Sequence, residues 1–142
     1  MRIVGFPMPP SSNQLYASFK GRFIKSVVGR KYDASINAFK LIKSRQLDKI
    51  KAQLKPNQLL HIDTVFVFHR KRVIGAKGQI KKLDASNRIK QAHDSIARLL
   101  EIDDSYFVQG AFSKAICEHE GDEQIIITIR PAELLTLDQL LV

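Results

Sequence analysis

The chain of 142 residues holds a single cysteine, Cys117, so an internal disulfide is excluded and a reducing cytoplasm is the expected setting. A small side chain within a strand is the expected role of that residue. Four histidines, His61, His69, His93 and His119, stand at no metal-ligand spacing and no CxxC pair exists, which argues against zinc. No P-loop or Rossmann glycine pattern and no Ser–His–Asp arrangement can be read. No stretch approaches the roughly 18 uninterrupted apolar residues of a membrane span. The few apolar residues between Arg2 and Pro7 do not make a signal peptide. No internal repeat or linker divides the chain, which reads as one domain over residues 1–130 followed by a leucine-rich tail over 131–142.

Acids are scarce over most of the length. Residues 1–100 hold 21 Lys/Arg and 5 Asp/Glu, a net of +16, while residues 101–142 hold 2 and 9, a net of −7. The densest basic run, Arg70 to Lys90, sets eight cations against Asp84 alone. A surplus this one-sided reads as a nucleic-acid surface, because phosphate contacts dominate such binding. Any single basic run can also be a solvated loop. Arg70, Lys71, Arg72, Lys77, Lys81 and Lys82, with Asn87 and Arg88 beyond them, are the candidate DNA contacts.

The few acids that do occur near this run are patterned. Residues 84–104 read DASNRIKQAHDSIARLLEIDD. On a helix of about 100° per residue, Asp84, Asn87, Lys90, Gln91, Asp94 and Arg98 share one arc. Ala85, Ile89, Ala92, Ile96, Leu99 and Leu100 share the face expected to bury, with His93 at its edge. Taken singly, Asp84 can be an N-cap, Asp94 a partner of Arg98, and Asp103 and Asp104 turn residues. Together, in a basic field, they suit a site holding a divalent cation against a polyanion, since carboxylate and phosphate oxygens are what Mg²⁺ prefers.

Elements can be sketched from patterning. Arg2–Phe6 reads as a strand ended by prolines, and a short strand is expected near Phe23–Val28. One helix is expected from about Tyr32 to Leu54, with Ile36, Phe39 and Leu47 inward. A strand follows over Leu59–Phe68, with Ile62, Val65 and Val67 alternating against polar or aromatic neighbours. Gly75, Lys77 and Gly78 mark a flexible basic loop. After the second helix, strands over Phe107–Cys117 and Gln124–Ile129 are expected to pair as a hairpin. Tyr16, Phe19 and Phe23 lie among cations and are candidates for base contact, with core packing expected for at least two of them. For the leucines of the tail, capping of the core is the first expectation, with lining of a dimer seam and docking of a partner helix left open. The order β, α, β, α, β, β predicts a single α+β domain with two helices packed on a mixed β-sheet.

The block from Asp84 to Asp104 resembles the signature of the RusA-type Holliday junction resolvases, small dimeric endonucleases common in phages and prophages. Asp84, Asn87, Lys90, Asp94, Asp103 and Asp104 stand at matching places, and GFPMPPSSNQLY, residues 5–16, is similar to the family's opening. The resemblance spans residues 1 to about 130. It implies a RusA-like fold, a homodimer, four-way DNA junctions as substrate, and Mg²⁺ (or Mn²⁺) as cofactor. Asp84 and Asp104 would be the catalytic metal ligands, with Asp94 and Asp103 as further ligands and Lys90 stabilising charge at the scissile phosphate. At one position the pattern departs: Ser86 stands where the family keeps a second acid. Losing a carboxylate weakens a hard-cation site, so a non-catalytic or weakly catalytic junction-binding protein is the alternative. An RNA-binding protein also fits the charge but does not predict the acid–Asn–Lys spacing.

Overall fold

A computed structural model describes residues 1–83 and 85–142. Strand β1 (Arg2–Phe6) ends where Pro7, Pro9 and Pro10 remove backbone donors. A bulge between Ile3 and Phe6 lets both side chains face the core. Strands β2 (Tyr16–Phe19) and β3 (Arg22–Lys25) pair antiparallel as a sheet of their own. Their turn, Lys20–Gly21, has φ of +49° and +74°, the left-handed pair a type I′ turn requires. Residue patterning predicts only one strand in this segment.

Helix α1 (Val27–Ile42) starts earlier than the periodicity predicts, because Ser26 caps it by accepting from the Gly29 N–H. It breaks at Lys43, and α2 (Ser44–Gln53) continues beyond. The expected single helix is therefore two. Strand β4 (Leu60–His69) runs into one helical turn, α3 (Arg70–Val73), and helix α4 (Ser86–Leu100) follows. Between α3 and α4 the basic segment folds back on itself. Ile74 bridges Ile80, and Lys81 donates its N–H to Val73 at 2.7 Å, so the segment expected as a flexible loop is a closed turn. Strands β5 (Phe107–Cys117) and β6 (Gln124–Pro131) and a short α5 (Leu137–Leu140) complete the chain.

The main sheet has the order β1–β6–β4–β5. β4 pairs parallel with β5 and antiparallel with β6, so these two strands flank β4 and do not form the expected hairpin. The cause is the β4–α4–β5 crossover: a helix of this length between two strands favours parallel pairing. The sheet is mixed, and the α+β class expected from the element order holds.

β4 alternates strictly, with Leu60, Ile62, Thr64, Phe66 and Phe68 buried. Ile62 therefore shares its face with the phenylalanines; Val65 and Val67 lie on the opposite, half-buried face, which corrects the grouping read from the sequence. Tyr32, Ile36 and Phe39 of α1, Leu47 and Ile50 of α2, and the apolar face of α4 pack on the buried side. Leu134, Leu135, Leu137, Leu140 and Leu141 are exposed, so the tail does not cap this core. Among the described residues no helix is long and apolar enough to cross a membrane.

Candidate metal centre

Helix α4 carries most of the candidate residues, and its rotation is fixed from the buried side. Ala92, Ile96, Leu99 and Leu100 are buried as the pattern predicts, while Ile89 is only half-buried. Between them, Ser95 Oγ and the Tyr32 hydroxyl share a buried hydrogen bond of 2.8 Å. Burial, chiefly, pushes the Tyr32 phenol up to about 12, so it stays a neutral tether. With this face pinned inward, Asn87, Lys90, Gln91, Asp94 and Arg98 form an outward polar stripe.

The helix ends in a left-handed residue, Glu101 (φ 58°), and the Ile102 N–H reaches back to the Ala97 carbonyl at 2.9 Å. This reversal returns the chain alongside the stripe and brings the Asp104 carboxyl beside that of Asp94. Burial first, then the neighbouring Asp104, raises the Asp94 carboxyl above its ordinary value, while Lys90 and Arg98 act in the opposite direction. A shallow recess of about 240 Å³ is lined by Asp94, Ala97, Arg98, Ile102, Asp103 and Asp104.

Asp103 is engaged differently. It caps the turn that follows, accepting the Ser105 N–H at 2.8 Å, and that bond holds its carboxyl below the usual range. Among the described residues no three His, Cys, Asp or Glu side chains converge as an ion-binding group. The convergent pair is thus Asp94 and Asp104. Asp84, the first candidate ligand, lies outside the described residues. Ser86 opens α4 and is exposed, and Ala85 occupies the cap position without a side-chain bond. The donor set suits a hard cation, since two neighbouring carboxylates can share a divalent ion.

His93 stands half-buried, its ring edge-on to Phe107 at 5.5 Å, and burial lowers its pKa against the pull of Asp104. Helical periodicity places it at this same edge of the apolar face.

The basic candidates divide into two groups. Arg70 pairs with Glu118 at 2.8 Å, and Arg72 holds Glu123 through one guanidinium nitrogen at 2.8 and 3.0 Å. Both acids come from the connection between β5 and β6, so part of the acidic C-terminal surplus folds back onto the basic run. Lys71, Lys77, Lys81 and Lys82 are exposed and enter no ion pair among the described residues. Arg88 is no surface contact. It is 8% exposed, donates to the Pro9 carbonyl and lies 5.6 Å over the Phe68 ring. Its place in the run Asn-Arg-Ile hides this, because an inward arginine needs a carbonyl 79 residues away to satisfy it.

Two other features leave no trace in local patterning. The Tyr32–Ser95 tether links residues 63 apart. A second recess, about 420 Å³, opens beside α1 with Lys31 and Arg72 on its walls. No family model matches the chain, and no curated protein matches it at a significant level.

Proposed function

We propose that this chain is a metal-dependent endodeoxyribonuclease of the RusA type. It binds branched DNA, four-way junctions above all, and hydrolyses phosphodiester bonds by paired nicks in recombination and repair. The observation that carries this reading is the Asp94–Asp104 pair: two carboxylates brought together at the end of a helix in a strongly basic protein. Asp84 joins them as a ligand on the strength of its sequence position.

Mg²⁺ (or Mn²⁺) bound there supplies Lewis-acid polarisation of the scissile phosphate and a nucleophile at neutral pH. Asp94 and Asp104 fix the ion relative to α4. Lys90, exposed on the same stripe and felt by Asp94, stabilises negative charge that develops on the phosphate. Lys71, Lys77, Lys81 and Lys82 bind backbone phosphates and set register along the arms. A homodimer presents two such sites related by a two-fold axis, matching the two equivalent strands of a junction. The lone thiol of Cys117 suits a cytoplasmic setting.

Ser86 favours a second reading, a junction-binding protein that cuts poorly or not at all. Incubating the protein with a synthetic four-way junction, with Mg²⁺ or with EDTA, separates the two. Symmetric nicks that require the metal support the nuclease. Tight binding without nicks supports the binding protein.

A further inference from the structure

The β2–β3 sheet stands apart from the main sheet, and its rings find no core. Tyr16 and Phe19 are each 56% exposed and Phe23 is 85% exposed, against the expectation that most of them would pack inward. Pairing places Tyr16 opposite Lys25, Ser18 opposite Phe23 and Phe19 opposite Arg22. One face of the hairpin therefore carries Tyr16, Phe23 and Lys25, and the other Phe19, Arg22 and Ile24. At the tip, Lys20 Nζ lies 5.4 Å over the Phe19 ring. Each face sets a ring beside a cation.

The surrounding charge is of one sign. Residues 1–32 contain six Lys/Arg and no acid. The first acid, Asp33, pairs with Lys25 at 2.7 Å. Beside the hairpin's root, a recess lined by Gln14, Val28 and Lys31 reaches the Arg72–Glu123 ion pair.

The root is tied to the start of α1. Ser26 donates its N–H to the Leu15 carbonyl at 2.9 Å and its hydroxyl to the Gln14 carbonyl. Leu15 is buried, and Gly29 lies so close that a Cβ there would meet the Leu15 carbonyl oxygen at 2.5 Å. Two strands alone are marginal in water, so exposed rings on a firmly rooted arm are not explained by folding. Flat apolar rings interleaved with cations, in a segment without acids, complement a ligand with stacking faces and a polyanionic backbone.

We propose that the β2–β3 hairpin is a base-stacking arm: Phe23, with Tyr16 and Phe19, engages unpaired or splayed nucleic-acid bases, such as those at a junction's branch point. The proposal rests on the reading of branched DNA as substrate and adds the element that senses the branch. The chain has no tryptophan, so Phe23→Trp installs a single reporter at the arm. Its emission should be quenched on titration with a four-way junction and with a single-stranded oligonucleotide, and little changed by blunt duplex. Phe23→Ala should weaken binding to both quenching ligands about tenfold while leaving duplex affinity within about twofold. Melting curves of both variants should match wild type, since the side chain is exposed.

Quenching with no metal-dependent cutting by the wild type would sink the nuclease reading and leave the arm standing. Cutting with a silent tryptophan and undiminished Phe23→Ala affinity would overturn the arm alone. A silent tryptophan together with dissociation of a Phe23→Ala dimer in sedimentation would also overturn it and assign the hairpin to self-association. Absence of nucleic-acid binding by wild type would overturn both.

Discussion

Asp94 and Asp104 face one recess, one from the second half of α4 and the other from the reversal that follows it. Two carboxylates so placed repel when both are ionised, and either a proton or a cation relieves them. The fold thus keeps a costly pair on the polar side of a helix whose other side is pinned to the core by Tyr32 and Ser95.

The first prediction concerns that pair. Because the folded-state pKa of Asp94 is raised above 3.8, the folded protein keeps a proton that the unfolded chain has released. The contribution of Asp94 to the stability of the metal-free protein should therefore fall as pH rises from 3.8 through its folded value. Asp94→Asn should flatten this slope. At neutral pH, Mg²⁺ at a hundredfold excess over its dissociation constant should stabilise wild type by about 2.7 kcal/mol and the variant far less. Thermal melts across pH, with Mg²⁺ or EDTA, measure both effects. Equal slopes and equal metal responses would remove Asp94 from the ion site.

Much of this is legible in the sequence, for definite reasons. The polar stripe of α4 follows from helical periodicity, and Ala92, Ile96, Leu99 and Leu100 bury as that period demands. Pairing choices are not legible. Whether β5 and β6 join each other or flank β4 depends on a crossover, which local patterning does not record. Nor does periodicity reveal that Arg88 turns inward, since the carbonyl that satisfies it is distant in the chain. Composition favours the core for the rings of the β2–β3 hairpin, because exposed aromatics are uncommon; here that expectation fails.

Two kinds of cation should behave differently toward DNA. Replacing Lys77, Lys81 and Lys82 with Ala should make the plot of log K against log salt shallower, by about 0.9 for each phosphate no longer neutralised. Arg70→Ala and Arg72→Ala should change the slope less, because those guanidinium groups already hold Glu118 and Glu123. Fluorescence anisotropy over a salt series reads the slopes. An unaltered slope in the triple lysine variant would point that turn away from DNA.

Arg88→Ala should act on stability. It strips the Pro9 carbonyl of its donor and leaves a void against Phe68, which should cost roughly 2–4 kcal/mol in urea unfolding. At equal folded fraction, its salt slope should match wild type. Normal stability with a shallower slope would return Arg88 to the DNA surface.

The most direct measurement is cleavage and binding of a four-way junction by Asp104→Asn beside wild type, at one pH and salt. The variant should lose Mg²⁺-dependent nicking, because one of the two paired carboxylates is gone. It should bind the junction equally well or more tightly, because a negative charge beside phosphate has been removed. Wild-type nicking rates in the variant would contradict the assignment of Asp104, and with it the metal centre on which the proposed activity stands.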